Sequence, residues 1–302
     1  MSDVRALAEL QGQVFLLVLA GVFCRRKWFG EAFQRDFSTL LVDLILPCSI
    51  ISSFQVELTR EMAGKTVQIF LISAAGQALA VVLGRILFRK KDPDRQAVMK
   101  YTLICSNAAF LGMPFAEGLW GAQGMLLASI FLIPQRIIMW TVGLSWYSRE
   151  RGKGIWKNLI TNPCMAAVMI GLVLMITGWR LPPVLSRAVG SLGSCVTGLA
   201  MFMVGMLIAH VHWKEFLDRD VLRLTVLRLA VFPALMLLGC RVFRAEPTAA
   251  GVAVILSAMP AGTTVALLAA RYRRAEEYAA DLFTVSSLVS LFTIPFWGLL
   301  VT

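Results

Sequence analysis

Two stretches of this chain set small polar residues, a glycine and a proline inside apolar surroundings: Ser106-Asn107-Ala108-Ala109-Phe110-Leu111-Gly112-Met113-Pro114 and Ser257-Ala258-Met259-Pro260-Ala261-Gly262-Thr263-Thr264. Proline removes a backbone donor and clashes with the preceding turn, so each stretch should interrupt a helix. In lipid, freed backbone groups must find partners, and such interruptions persist where they line a polar cavity. The chemistry on offer is binding rather than bond breaking. Half-helix N-termini carry partial positive charge that suits an anion. The Asn107 amide donates to a carboxylate without bringing charge into the bilayer, and the hydroxyls of Thr263 and Thr264 donate as well. Ser106, Gly112, Pro114, Pro260 and Gly262 shape the interruptions. Two plainer readings stand beside this one: Asn107 satisfying groups freed by Pro114, and a threonine bonding back to its own helix. The two prolines lie about half a chain apart, and matched broken helices in two halves mark a site at the middle of a membrane.

Ionisable residues inside apolar runs form the second set. Arg136, in Ile133-Pro134-Gln135-Arg136, falls where a charge costs at least about 2.5 kcal/mol on the mildest insertion scale. Its guanidinium fork fits a carboxylate, either as a selectivity determinant for a dicarboxylate or as a structural partner of an acid such as Asp43. Asp43, four residues before Pro47, and Asp281 are the acids that a proton-coupled cycle would use, since a carboxylate in low dielectric holds its proton more tightly. Asp281 also suits an interfacial role beside Arg271, Arg273 and Arg274. Arg85 and Arg228 are expected to snorkel or pair, and His210 and His212, with Trp213, to anchor at an interface. Two histidines close no metal site, and no nucleophile-base pair or phosphate loop is present. The sequence therefore gives no sign of an enzyme, a cofactor or a metal centre.

The elements that carry these residues follow from composition. Hydrophobic residues make up 58% of the 302 and charged residues 16%, with a mean hydropathy of +0.74, well below the charge content of a soluble domain. A net charge of +11 sits in short clusters between apolar runs, which reads as a topology signal and not as a nucleic-acid surface. The six cysteines show no metal or disulfide spacing and are read as small packing residues. The first apolar run is followed by Arg25-Arg26-Lys27-Trp28 and not by a cleavage site, so it is expected to stay as a helix.

Stretches of about 20 apolar residues predict an all-α polytopic membrane protein with ten spans. They lie at roughly 8–25, 34–54, 65–88, 97–118, 122–147, 159–178, 188–211, 220–243, 248–270 and 276–300. Most Lys and Arg residues fall in the odd-numbered loops, which puts those loops in the cytoplasm and both termini outside. An odd number of spans per half makes the halves an inverted repeat, five plus five, with spans four and nine broken. Residues 1–148 are the first repeat, 149–158 a cytoplasmic connecting loop and 159–302 the second repeat, in one integral membrane unit. Gly190, Ser194 and Gly198 place small residues on one face of span seven for close helix packing.

Asn107 seven residues before Pro114 with Gly112 between, then Ala258-Met259-Pro260, Leu268-Ala269-Ala270-Arg271-Tyr272 and Leu291-Phe292-Thr293-Ile294-Pro295, resemble the auxin efflux carrier family. Leu46-Pro47, Trp140-Thr141-x-Gly143, Asn162-Pro163 and the glycine-rich seventh span fall where that family has similar features. The family includes plant auxin exporters and bacterial malate and malonate permeases. The resemblance implies spans four and nine crossing at their breaks, an organic anion bound at the crossing, helices one, two, six and seven as a scaffold, and the rest as a transport domain. It also implies a multi-pass protein of the cytoplasmic membrane, in contact with lipid and free to form a homodimer, that moves malate- or malonate-like carboxylates or auxin-like acids, with or without H+ or Na+ coupling. A sodium-coupled symporter of the bile-acid transporter type and a non-transporting membrane sensor are the alternatives.

Overall fold

A computed structural model describes residues 2–55, 59–147, 163–209 and 218–301. The connecting loop at 149–158, Asn162, His210, His212 and Trp213 lie outside the described residues. In chain order the α-helices are α1 Ser2–Lys27, α2 Glu31–Leu40, α3 Leu46–Ser53, α4 Arg60–Leu87, α5 Pro93–Ile104, α6 Met113–Ile138, α7 Leu144–Tyr147 and α8 Pro163–Thr177. There follow α9 Pro183–Gly193, α10 Val196–Ile208, α11 Arg219–Val226, α12 Phe232–Val242, α13 Pro247–Ser257, α14 Thr263–Tyr272 and α15 Glu276–Val301. Among the described residues there is no β-strand beyond one isolated bridge. Among the described residues five helical stretches are long and apolar enough to cross a membrane: Arg60–Leu87, Met113–Tyr147, Pro183–Met203, Arg219–Val242 and Glu276–Val301.

Proline placement explains most of the points where the helices change pitch. Among the described residues wide π-helical turns occupy 41–45, 108–112, 139–143 and 227–231; Pro47, Pro114 and Pro233 each stand two residues past the first, second and fourth, while the turn at 139–143 has no proline there. The pyrrolidine ring cannot donate and presses on the carbonyl four residues back, so a turn closed at five residues relieves the clash. Leu46 N–H accordingly reaches the carbonyl of Leu41 and Phe232 N–H that of Leu227. The carbonyl of Leu229, four residues before Pro233, takes a hydrogen bond from Trp297 Nε1 at 2.8 Å. Gly121, at φ 60° and ψ −147°, breaks α6 at the boundary expected between spans four and five. That backbone region is closed to residues with a Cβ.

The helices gather into two compact units, each drawing on both halves of the sequence. The first comprises residues 1–67, 110–130 and 160–210. Here α1 meets α10 at a glycine pair: a Cβ on Gly21 would stand 2.0 Å from the carbonyl of Phe202, and one on Gly205 2.0 Å from that of Val18. Gly193 also lies close on Ser49, where a Cβ would stand 2.8 Å away, and Gly171 on Phe54, at 2.6 Å. Close packing thus falls at Gly193 and Gly205 and not on the expected Gly190, Ser194, Gly198 face, because the helix is interrupted at Ser194 and Cys195 and the register changes there.

The second unit comprises residues 68–109, 131–159 and 211–302. Asp92 caps α5, accepting from the backbone N–H groups of Asp94 and Arg95, and Asp218 caps α11 through Asp220 N–H, the usual role of Asp at a helix start. The same loops are tied by ion pairs: Lys91 to Asp220 at 2.7 Å, Arg95 to Asp218 at 3.1 Å and Arg274 to Asp94 at 3.1 Å. Arg95 also covers the Tyr278 ring at 4.9 Å. The segments following α4 and α14 and the starts of α5 and α11 therefore meet at one end of this unit.

Candidate functional site

The two interrupted helices cross inside the second unit, and their backbones bond to each other. Past Ile104 the chain extends through Cys105, and Ser106 pairs with Ala261 in an isolated antiparallel bridge. Asn107 N–H donates to the carbonyl of Pro260 at 2.8 Å, and Gly262 N–H donates to that of Cys105 at 3.1 Å. Groups that each break leaves outside a helix are thus satisfied by the other break, which is how such backbone survives in a low-dielectric interior. Ala261 N–H finds a third partner in Ser286 Oγ at 3.1 Å.

The crossing fixes its side chains in distinct ways. Ser106 Oγ donates to Gln135 Oε1 and Gln135 Nε2 donates back to the Ser106 carbonyl, both at 3.2 Å, so α6 is pinned to the break by a reciprocal pair. Thr264 Oγ1 lies 2.9 Å from Cys105 Sγ. Asn107 is 3% exposed, and among the described residues nothing hydrogen-bonds its side-chain amide. Tyr101 and Tyr147 pack edge to face at 5.3 Å on the side of α5.

Next to the bridge runs a narrow polar crevice. Ser73, Gln77, Ser106, Gln135, Arg228 and Ser257 form its polar wall. Ser73 donates to the carbonyl of Phe131. As it stands, the crevice is too narrow to seat a carboxylate.

Not every expected residue joins this site. Ser106, Asn107, Pro260, Gly262 and Thr264 are brought together, and Thr263 supplies the first residue of α14. Gly112 and Pro114 belong to the first unit, Gly112 closing the π-helical turn and Pro114 buried in the opening turn of α6. Arg136 is buried one residue beyond Gln135, and Asp43 is exposed in the 41–45 turn of the first unit. Asp281 is half-buried in the second turn of α15, and the basic cluster beside it pairs through Arg274 with Asp94.

Arg85 is exposed, as expected of a snorkelling residue. Arg228 does not snorkel: it is 3% exposed inside the second unit. The sequence reading also passed over Gln77 and gave Gln135 no role. An ionisable residue in an apolar run is the signal that picked out Arg136, and it applies equally to Arg228.

Proteins similar in sequence over most of this chain are described as transporters. The sequence profile of a family described as "membrane transport protein" matches residues 11–155 and 147–298. An uncharacterized transporter of Methanocaldococcus jannaschii is 24% identical, over 94% of this chain and 96% of its own. One of Methanothermobacter thermautotrophicus is 23% identical over 94% and 95%. Auxin efflux carrier component 8 of Arabidopsis thaliana is 26% identical over 45% of this chain and 38% of its own.

Proposed function

We propose, from the premise that this chain belongs to the membrane transport protein family, that of the auxin efflux carriers, that it is a secondary transporter moving a small organic anion by alternating access. One observation carries this reading: two helix breaks from opposite halves of the sequence bond to each other through Asn107, Pro260, Cys105 and Gly262, leaving the Asn107 amide without a partner among the described residues. A neutral donor beside paired half-helix ends favours an organic anion nearby at little desolvation cost when the site is empty.

The organisation follows from the same premise. Ten spans arranged as a five-plus-five inverted repeat in the cytoplasmic membrane, termini outside, accommodate both breaks at mid-membrane depth. The basic segments that follow α4 and α14 meet at one end of the second unit, which supports a shared cytoplasmic side. The first unit contains α1 to α3 and α8 to α10, which supports a scaffold role for these helices; it also holds residues 110–130, and the second unit, which holds the paired breaks, is the part assigned to carry substrate. Malate- and malonate-like carboxylates and auxin-like acids are the substrate classes. With an inside-negative potential a bare anion leaves downhill by about 2.3 kcal/mol per charge per 100 mV, so export needs no coupling ion, whereas uptake requires H+ or Na+.

Counterflow of labelled malate, malonate and indole-3-acetate in proteoliposomes tests this, with pH, sodium and voltage gradients imposed one at a time. Saturable counterflow of one of them is expected, and Asn107→Ala should abolish it while the purified protein keeps its melting temperature. A response to sodium alone would turn the reading toward a sodium symporter. Saturable binding with no flux would leave a sensor.

A further inference from the structure

The crevice beside the crossing holds a charge that the reading above does not use. Arg228 sits in the 227–231 π-helical turn. One guanidinium N–H reaches the carbonyl of Leu103 at 3.3 Å, in the last turn of α5, where a cation complements the negative end of a helix. The Phe232 ring centre lies 5.2 Å from the guanidinium carbon. Neither partner neutralises it. Among the described residues no carboxylate pairs with Arg228, and its Nε–H is buried without a partner. Two further polar atoms of the same crevice are buried and orphaned, Ser257 Oγ and Gln77 Oε1. Native interiors leave few such groups, and a buried cation without its counter-charge is the costliest kind.

We propose that this crevice takes the charged head of the substrate, and that the substrate is a monocarboxylate. Arg228 and Ser257 grip one carboxylate, a guanidinium fork being the natural match for its two oxygens. The Gln77 amide, whose two ends exchange by rotation, completes the ring of donors. Phe131, Phe232, Met236 and Leu256 form the apolar wall that receives a short body. A single fork serves a single charge: no second cation lines the crevice among the described residues, and Arg136 does not reach it. Met236 is the side chain that yields to admit the ligand. Its Sδ stands 2.8 Å from where a Cβ on Gly76 would be, and an unbranched thioether repacks readily. This assignment rests on the organic-anion carrier reading and narrows it.

The test uses the purified full-length protein and four probes: propionate, monomethyl malonate, malonate and indole-3-acetate, read by thermal shift and by counterflow in proteoliposomes. Monomethyl malonate and malonate are nearly the same size and differ by one charge. The half-ester is expected to bind about tenfold more tightly than the diacid, and Arg228→Gln to lose about tenfold or more with partial recovery in Arg228→Lys, as befits a charge-assisted hydrogen bond. Because Arg228 also holds the Leu103 carbonyl, Ser257→Ala is the companion variant. It removes an unpartnered hydroxyl, so the ligand-free protein should melt unchanged while affinity falls several-fold. Should Arg228→Gln fail to fold, Ser257→Ala and the charge comparison decide. Malonate preferred to its half-ester, or a Ser257→Ala protein binding as tightly as the parent, would overturn this site and leave the carrier reading standing. Transport of none of the acids would remove both.

Discussion

Gly262 has room for a hydrogen and nothing larger. A Cβ there would stand 2.6 Å from Cys105 Sγ and 3.3 Å from the Ser106 carbonyl oxygen, on the segment to which its own N–H bonds. Gly262→Ala should destabilise the protein by about 1–3 kcal/mol, read as a lower melting temperature in detergent. Cys105→Ala withdraws the nearer atom and should return part of that loss in the double variant. Some of this site was legible in the sequence because single residues carry local rules: proline lacks a donor, glycine admits close approach, and asparagine offers a neutral amide. What was not legible is anything decided by a partner. Arg136 and Arg228 look alike as isolated charges in apolar runs, and only the fold puts one on the crevice and keeps the other off it. Gln135 stands beside the conspicuous Arg136, and nothing in its own type announces the reciprocal pair with Ser106.

Elements obey the same division between local rule and partner. Apolar length marked the helices and proline marked some of their irregular points, so the wide turns before Pro47, Pro114 and Pro233 follow from the chemistry of single residues, whereas the one at 139–143 does not. Which group then satisfies a released carbonyl depends on a helix far away in sequence. Trp297 serves Leu229 from α15. Trp297→Phe keeps most of the apolar volume and removes the donor, so it should cost about 1–3 kcal/mol for the stranded buried carbonyl, measurable as a drop in melting temperature. The glycine packing of α9 and α10 was misplaced for a related reason. A face counted at helical spacing assumes an unbroken helix, and the interruption at Ser194 and Cys195 moves the contact to Gly193 and Gly205.

For the whole molecule, chain order and spatial order part company. Reading along the sequence divides it near residues 149–158 into two halves, whereas packing divides it into units that each take pieces from both halves. Helix partners are chosen by complementary surfaces, a property that hydropathy and charge counting do not see. Residues 1–158 expressed alone should be cleared rapidly in a pulse-chase experiment and persist when residues 159–302 are co-expressed, since neither fragment holds both breaks. The intact chain meets the same difficulty in time. At ~5–20 residues per second, the ribosome adds the stretch of about 150 residues between Asn107 and Gly262 in roughly 8–30 s. Throughout that interval the Cys105 carbonyl and the Asn107 N–H wait in the nascent chain for partners not yet made, so the first broken helix must be sheltered by water, the insertion machinery or a chaperone until the second one is translated.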